Sequence, residues 1–476
     1  MKKIFFVIIV LLGVMTSCTK NFEDFNTDKK RPVAVPAENL FANAQKALSD
    51  QEASTNVNLN VFKLWAQYWT ETTYTDEANY DIITRPIPDH DFTTYYRNIL
   101  EDLKEASSVL KNTTVVGDLP NGEKNNKLMI IDCMQVYTYA QLLEIFGNIP
   151  YSEALDINNI SPKYDDALLV YKDLLKRLDA DIAGMNSTYG SFGTSDLYMG
   201  GDVAMWKKFA NSMKVRIGIT IADGDNATAK AAVESGYQGA FAPDEKCEMV
   251  YLDATNCNPL YADLVQSGRS DFVGANTFID ALNTLLDPRR PAYFTTYKGN
   301  YVGGTYGASN PFSTFSHVAD AIEVPTFPSV LLDGTEIAFY LAEAAERGYA
   351  VGGTAESYYN AAITSSFTTW GVEGADAYLA KPEVAYSTAT GTWKQKIGTQ
   401  AWIAYYLRGQ VAWTTYRRLD FPVLNTPPNP STPDGKTPTR FTYPIQEQTL
   451  NKANFAAAVT AMGGNTLLTK LFWDKF

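Results

Sequence analysis

The chain has 476 residues, 45% of them hydrophobic and 20% charged, which is ample for a large buried core and too apolar for a disordered chain. A formal net charge of −13 argues against nucleic acid as a partner, because phosphate binding needs a clustered excess of Lys and Arg. Length alone allows two or three average domains.

Lys2 and Lys3 precede an apolar run from Ile4 to Val14. That run is shorter than the roughly 20 residues a spanning helix needs, and a charged start before a short apolar stretch reads as a secretory signal. Met15, Thr16, Ser17 and Cys18 follow it as a lipobox, with small residues at the two positions before the cysteine. The expectation is a signal peptide over 1–17, a chain acylated at Cys18, a proline-punctuated tether over 18–36 and one body over 37–476. A plain secreted protein with an incidental cysteine is the other reading of the same residues.

The body is mostly α by pattern. Leu40, Ala44 and Ala47 mark a first helix, and Val57, Val61, Leu64 and Tyr68 a second, with Phe62, Trp65 and Trp69 on the neighbouring strip. Further helices are predicted over Phe92–Leu110, Leu128–Phe146, Ala167–Ile182 and Met205–Ile221. Between Gly236 and Pro328, Gly, Pro, Asn and Asp interrupt every apolar run, so this middle section is predicted to be loop-rich. Helices return over Glu336–Gly348, Ala355–Trp370, Thr399–Arg418 and Lys452–Met462. Helix pair after helix pair with few strands predicts an α-superhelix of tetratricopeptide type.

Catalytic and metal chemistry find little support. His90 and His317 are the two histidines and read as exposed loop residues, which leaves His-based triads hard to build. No HExxH, Walker loop or GxSxG is present, so neither a cofactor nor a metal is predicted. Asp223 to Asn226 reads as a turn, since it lacks the rest of a calcium ladder. Cys133 reads as a small core residue, and Cys247 and Cys257 as either a bridge or two inert thiols.

Several segments stand in a distinctive order: NFEDFNTD over Asn21–Asp28, FGNIPYSEAL over Phe146–Leu155, DLYMGGD over Asp196–Asp202 and WKKFANS over Trp206–Ser212. DPRRP over Asp287–Pro291, LAEAAERG over Leu341–Gly348, YYNA over Tyr358–Ala361, KIGTQAWIA over Lys396–Ala404, YRR over Tyr416–Arg418 and WDK over Trp473–Lys475 follow. Together they resemble the SusD/RagB-like nutrient-binding lipoproteins, in the SusD-like branch. The resemblance spans the mature chain and implies one α-superhelical domain with tetratricopeptide-like pairs, against the two-domain prior from length. It implies a non-enzymatic protein on the outer face of the outer membrane, lipid-anchored, that binds an oligosaccharide or peptide and delivers it to a SusC-like TonB-dependent transporter. A surface glycoside hydrolase and a purely structural surface lipoprotein are the rival readings, since two carboxylates suffice for glycoside hydrolysis.

Most hallmark residues have structural explanations. Trp206, Asn211 and Tyr151 read as packing and capping, and Glu343, Glu346 and Arg347 as helix surface or an internal ion pair. Ligand contact is assigned to Trp65 and Trp69, one helical turn apart, and to Tyr74 and Tyr80 in the polar loop beyond, which also bears Asp76. Flat aromatic faces can stack on the apolar C–H face of a sugar ring while Asn, Asp or Arg take its hydroxyls. Tyr301 and Tyr306, set among glycines, are a second aromatic group, with Arg269 and Asn276 as hydroxyl partners. Simple packing is the competing explanation for each aromatic residue.

Overall fold

Apolar stripes set the helices of the body, and side chains cap several of their starts. The computed structural model describes residues 35–114 and 117–476, so Cys18, the signal segment and the tether through Ala34 lie outside the described residues. Residues 37–476 form one compact unit. Its longer elements, in chain order, begin with α1 (Ala37–Ala53), α2 (Phe62–Trp65) and β1 (Trp69–Glu71). Next come α3 (Ile87–Thr93), a π-helical stretch over Thr94–Leu100, α4 (Glu101–Asn112) and α5 (Asp118–Phe146). Then follow α6 (Ala167–Gly184), α7 (Val203–Ile221), α8 (Asn226–Gly236) and β2 (Lys246–Met249). The second half contains β3 (Phe272–Gly274), α9 (Asn276–Thr284), β4 (Ser329–Asp333) and α10 (Gly334–Glu346). It ends with α11 (Ala355–Thr369), α12 (Trp393–Ala404), α13 (Gly409–Leu419) and α14 (Lys452–Met462).

Four antiparallel-type pairs stack in sequence: α5 on α6, α7 on α8, α10 on α11 and α12 on α13. Contacts of α6 with α7, α7 with α10, and α10 with α12 join one pair to the next, which is the superhelical repeat predicted from the pattern. Helix starts are capped by side chains. Asp166, Asp202, Asp225 and Asp333 accept backbone N–H groups at the heads of α6, α7, α8 and α10, and Thr354 and Ser357 form a reciprocal box on α11. Each such cap stabilises by about 1 kcal/mol. Gly348, at φ +75°, stops the chain after α10 where the sequence predicted it.

Three elements differ from expectation. The second predicted helix shrinks to α2, because Asn56 and Asn60 bond nearby backbone N–H groups and Gln67 takes a left-handed φ of 56°. Gln67 is held there by Asn425, whose N–H donates to Oε1 (2.9 Å) and whose carbonyl accepts from Nε2 (2.7 Å). Trp69 therefore sits on β1, and Trp65 and Trp69 do not share a helix face. The predicted helix over Thr399–Arg418 is two, α12 and α13, broken at Leu407 with φ 74°. Gly409 opens α13 against α2 so closely that a Cβ there would lie 2.4 Å from Lys63 N. Helix α8 was not anticipated; Asp225, read as part of a turn, is its N-cap.

Ion pairs inside the repeat tie the helices together. Arg216 of α7 pairs with Glu144 of α5 at 2.9 Å and lies 3.6 Å from Glu336 of α10. Arg418 of α13 holds both oxygens of Glu343 of α10 at 2.8 Å, and Arg347 joins Glu343 to Asp223. The buried Asp196 of the DLYMGGD segment accepts the Trp206 indole N–H at 2.7 Å and three backbone N–H groups, which makes that hallmark a structural lock. Cys133, Cys247 and Cys257 are free thiols, so the bridge does not form. His90 is on helix α3, not in a loop, and is half-buried beside Thr94. Among the described residues no helix is long and apolar enough to cross a membrane.

Candidate ligand-binding surface

The short antiparallel ladder of β1 with β3 pairs Trp69 with Gly274 and Glu71 with Phe272. This register lays the loop after β1 beside the loop before β3. Thr72 N–H donates to the Asp271 carbonyl (2.9 Å), and Thr72 Oγ1–H to the Ser270 carbonyl (2.8 Å). A third loop joins them: Asn310 N–H and Ser309 Oγ–H both donate to the Thr72 carbonyl. Asn79 is the clamp for a fourth. Its amide nitrogen donates to the Gly307 carbonyl at 2.8 Å, its Oδ1 accepts from Asn429 N–H at 2.9 Å, and its carbonyl accepts from Ser431 N–H.

On this frame Tyr74 stands out with 71% of its surface exposed, at a left-handed φ of 54°. Arg269 lies in the adjoining loop with its side chain 60% exposed and its Nε–H donated to Asp271 at 2.5 Å. Asp271 thereby orients the guanidinium and leaves its two terminal nitrogens without protein acceptors among the described residues. Asp76 is exposed on the same loop as Tyr74. The surface thus presents an aromatic face, a fixed fork of donors and carboxylate acceptors, which is the equipment for a polyhydroxylated ring.

The other predicted contacts divide. Trp65, Trp69, Tyr80 and Tyr306 are buried, and protein occupies their faces. Trp65 meets Tyr80, Trp413 and Phe441 edge-on at 5.1–6.2 Å between centroids and donates its indole N–H to the Glu77 carbonyl. Trp69 donates to Tyr406 Oη at 2.9 Å, and Tyr80 packs on Tyr306. These four rings form a floor under the loops, so simple packing accounts for them. Tyr301 is half-buried beneath the Arg290 guanidinium, 5.2 Å from its centroid. Asn276 spends its oxygen on Tyr306 N–H (3.1 Å) and Asn425 (3.3 Å), and positions backbone instead of offering that oxygen to a ligand. Asn79 and Asp271 escaped the sequence reading. Arg269 and Asp271 are two residues apart, a visible signal; the partners of Asn79 lie 228 and 350 residues away, which leaves none.

Beneath the loop sits Glu71, a buried carboxylate whose Oε2 accepts from Ala78 N–H at 3.1 Å. Burial pushes its carboxyl up to about 8, with the Ala78 N–H and Arg85 opposing. Folding thus raises this pKa above its ordinary 4.5, so the stabilisation from its protonated form is full below that value and is lost as pH rises through about 8. Glu71→Gln keeps an acceptor for Ala78 and removes the charge. Scanning calorimetry is expected to show it melting above the parent at about pH 9 and losing that advantage at about pH 5; a lower melting point at the alkaline pH contradicts this assignment.

Comparison with known proteins agrees with this architecture. A family model described as "SusD-like_2: Starch-binding associating with outer membrane" matches residues 29–444. A solved structure titled a chitin-binding protein is 25% identical with a TM-score of 0.80, covering 92% of this chain and 100% of its own. A chitin-binding SusD homologue from Flavobacterium johnsoniae is 23% identical with a TM-score of 0.77, covering 92% and 98%. A SusD homologue from Bacteroides uniformis is 25% identical with a TM-score of 0.75, covering 92% and 99%. No match was found among curated protein sequences. The family is one of outer-membrane-associated carbohydrate-binding proteins, not enzymes, and the stacked helix pairs, the locked hallmark segments and the model match over residues 29–444 together place this chain in the SusD-like family.

Proposed function

We propose that the chain is a cell-surface lipoprotein that holds an oligosaccharide against Tyr74 and hands it to a SusC-like TonB-dependent transporter. The observation that bears most weight is the exposed Tyr74 ring beside the Asp271-oriented guanidinium of Arg269. A residue so exposed gains little from folding, and an aromatic face next to paired donors and acceptors suits a sugar. The family description names starch and a structural relative is named for chitin, which supports a glycan over a peptide and leaves both sugars to be tried. In this reading Cys18 holds the lipid anchor, and the tether over 18–36 gives the body reach above the membrane.

Isothermal titration of the soluble body with malto-oligosaccharides, chito-oligosaccharides and short peptides tests the proposal. Tyr74→Ala and Arg269→Ala are each expected to weaken glycan binding by about tenfold or more, roughly 1.4 kcal/mol. Their melting temperatures should match the parent, because neither side chain is buried. Unchanged affinity in both variants removes this surface as the site, and turnover of the glycan would replace a binding protein by a hydrolase. Mass spectrometry of Cys18 in the native host and co-purification of a barrel protein check the anchor and the partner.

A further inference from the structure

Between the β2–β4 ladder and the break that separates α12 from α13 lies a cavity of about 370 Å³. It is within the roughly 300–1,000 Å³ of small-molecule sites. None of the Tyr74 surface residues lines it. Leu260, Ile322 and Leu407 give it aliphatic wall, and Phe327, Trp370 and Tyr406 form an aromatic side. The Trp370 ring lies 6.3 Å from Phe327 and 5.8 Å from Tyr406 between centroids, tilted against both. Phe327 and Trp370 are half-buried, so each keeps ring surface that protein does not cover.

The charged part of the lining cancels: Glu52, Glu248 and Asp333 stand against Lys63, Lys246 and Arg408. Lys63 spends all three ammonium protons on the carbonyls of Glu52 (3.2 Å), Ala53 (3.0 Å) and Ser54 (3.0 Å), at the C-terminus of α1. Glu52 accepts from Tyr137 Oη–H (2.7 Å) and Gln141 Nε2–H (2.9 Å). Arg408 donates to Asp333 Oδ1 and the Leu331 carbonyl at 3.0 Å each and to the Glu336 carboxylate. Lys246, exposed, is paired with Glu248 Oε1 at 2.8 Å. Two polar atoms lack partners, Arg408 Nε–H and Glu248 Oε2, one on a cation and one on a carboxylate, and both are sealed from any ligand.

This environment penalises charge of either sign. Burial pushes the Lys63 ammonium down to about 7 and the Glu52 carboxyl up to about 7, and it raises Asp333 as well. Arg408 stays charged against burial because Asp333 and Glu336 flank it. An ammonium or a carboxylate brought inside would give up its water to add an unmatched charge to a balanced set. An uncharged molecule leaves every pair intact and gains the apolar wall. Rings are the best match for that wall, because edge and face contacts with Phe327 and Trp370 add to the area buried. An apolar cavity of about 150 Å³ holds benzene, so this one has room for a two-ring body.

We propose that this cavity binds an uncharged two-ring aromatic molecule, seated against Phe327 and Trp370 and separate from the glycan surface. Calorimetric titration of the body at neutral pH with naphthalenemethanol, naphthylmethylamine and naphthoate tests it, since these share one shape and differ in charge. The alcohol is expected to bind one to one, with the amine and the acid each weaker by about tenfold or more. Trp370→Leu keeps the wall apolar and removes the ring; it should weaken alcohol binding by about fivefold while glycan affinity stays at the parent value. Ala292→Trp, which fills the cavity from its wall, should abolish alcohol binding in a protein whose circular dichroism is unchanged. If that variant misfolds, the ligand series and Trp370→Leu decide. The proposal is overturned by no alcohol binding up to the solubility limit, or by an amine or acid that binds as tightly as the alcohol. A folded Ala292→Trp that still binds, or an unaffected Trp370→Leu, overturns it equally, and none of these results bears on the Tyr74 surface.

Discussion

Trp65→Ala is expected to cost about 3–5 kcal/mol of stability, the range for emptying a large aromatic side chain from a packed core. The indole has 0% exposure and meets Phe62, Tyr80, Trp413 and Phe441 in edge-on or T-shaped contacts. Such contacts add about 0.5–1.5 kcal/mol beyond the area they bury. Removal also leaves the Glu77 carbonyl with the Tyr80 N–H alone as donor and undercuts the loop that Tyr74 stands on. The measurement is the urea midpoint of the variant against the parent at constant slope. Tyr74→Ala serves as the contrast, with a midpoint within about 0.5 kcal/mol of the parent. If Trp65→Ala keeps its stability and loses only glycan affinity, the ring touches ligand and the floor described above is misassigned.

Glu343→Ala is the second large effect, again about 3–5 kcal/mol, because it strands a buried guanidinium. Arg418 is 2% exposed and gives Nη1 to both oxygens of Glu343 at 2.8 Å, while its Nε and Nη2 already lack partners. Glu343 keeps the Arg418 pKa raised in spite of burial. Arg347, which also uses Glu343, retains Asp223 and so loses less. The double variant Glu343→Met with Arg418→Met removes both charges together and is expected to recover most of the loss, since replacing a whole buried pair by apolar side chains is often neutral. Denaturation of the two single variants and the double variant gives the coupling directly. Additive losses would mean that the pair does not act as a unit.

Both effects come from residues whose type, but not whose role, shows in the chain. Glu343 within LAEAAERG reads as helix surface or an internal ion pair, and only the packing of α10 on α12, with Arg418 of α13 reaching Glu343, decides for the pair. Asp196 and Trp206, ten residues apart, are visible as a motif, and the structure supplies the hydrogen bond that explains it. Tyr74 and Arg269 were both named from sequence, 195 positions apart in number, and the β1–β3 register brings their loops together. Trp65 and Trp69 were joined by helical spacing, and the left-handed Gln67 separates them.

The sequence by itself determined the helical class, most of the helix boundaries and the superhelical repeat, because apolar periodicity, capping side chains and stop glycines act within a few residues of one another. Tertiary structure alone decided which aromatic rings face water, where the second helix and the one predicted over Thr399–Arg418 break, and that Asn79 joins three loops into one surface. Those outcomes rest on hydrogen bonds and contacts between residues hundreds of positions apart. Local propensity carries no record of such partners, so it cannot tell a core tryptophan from a ligand platform.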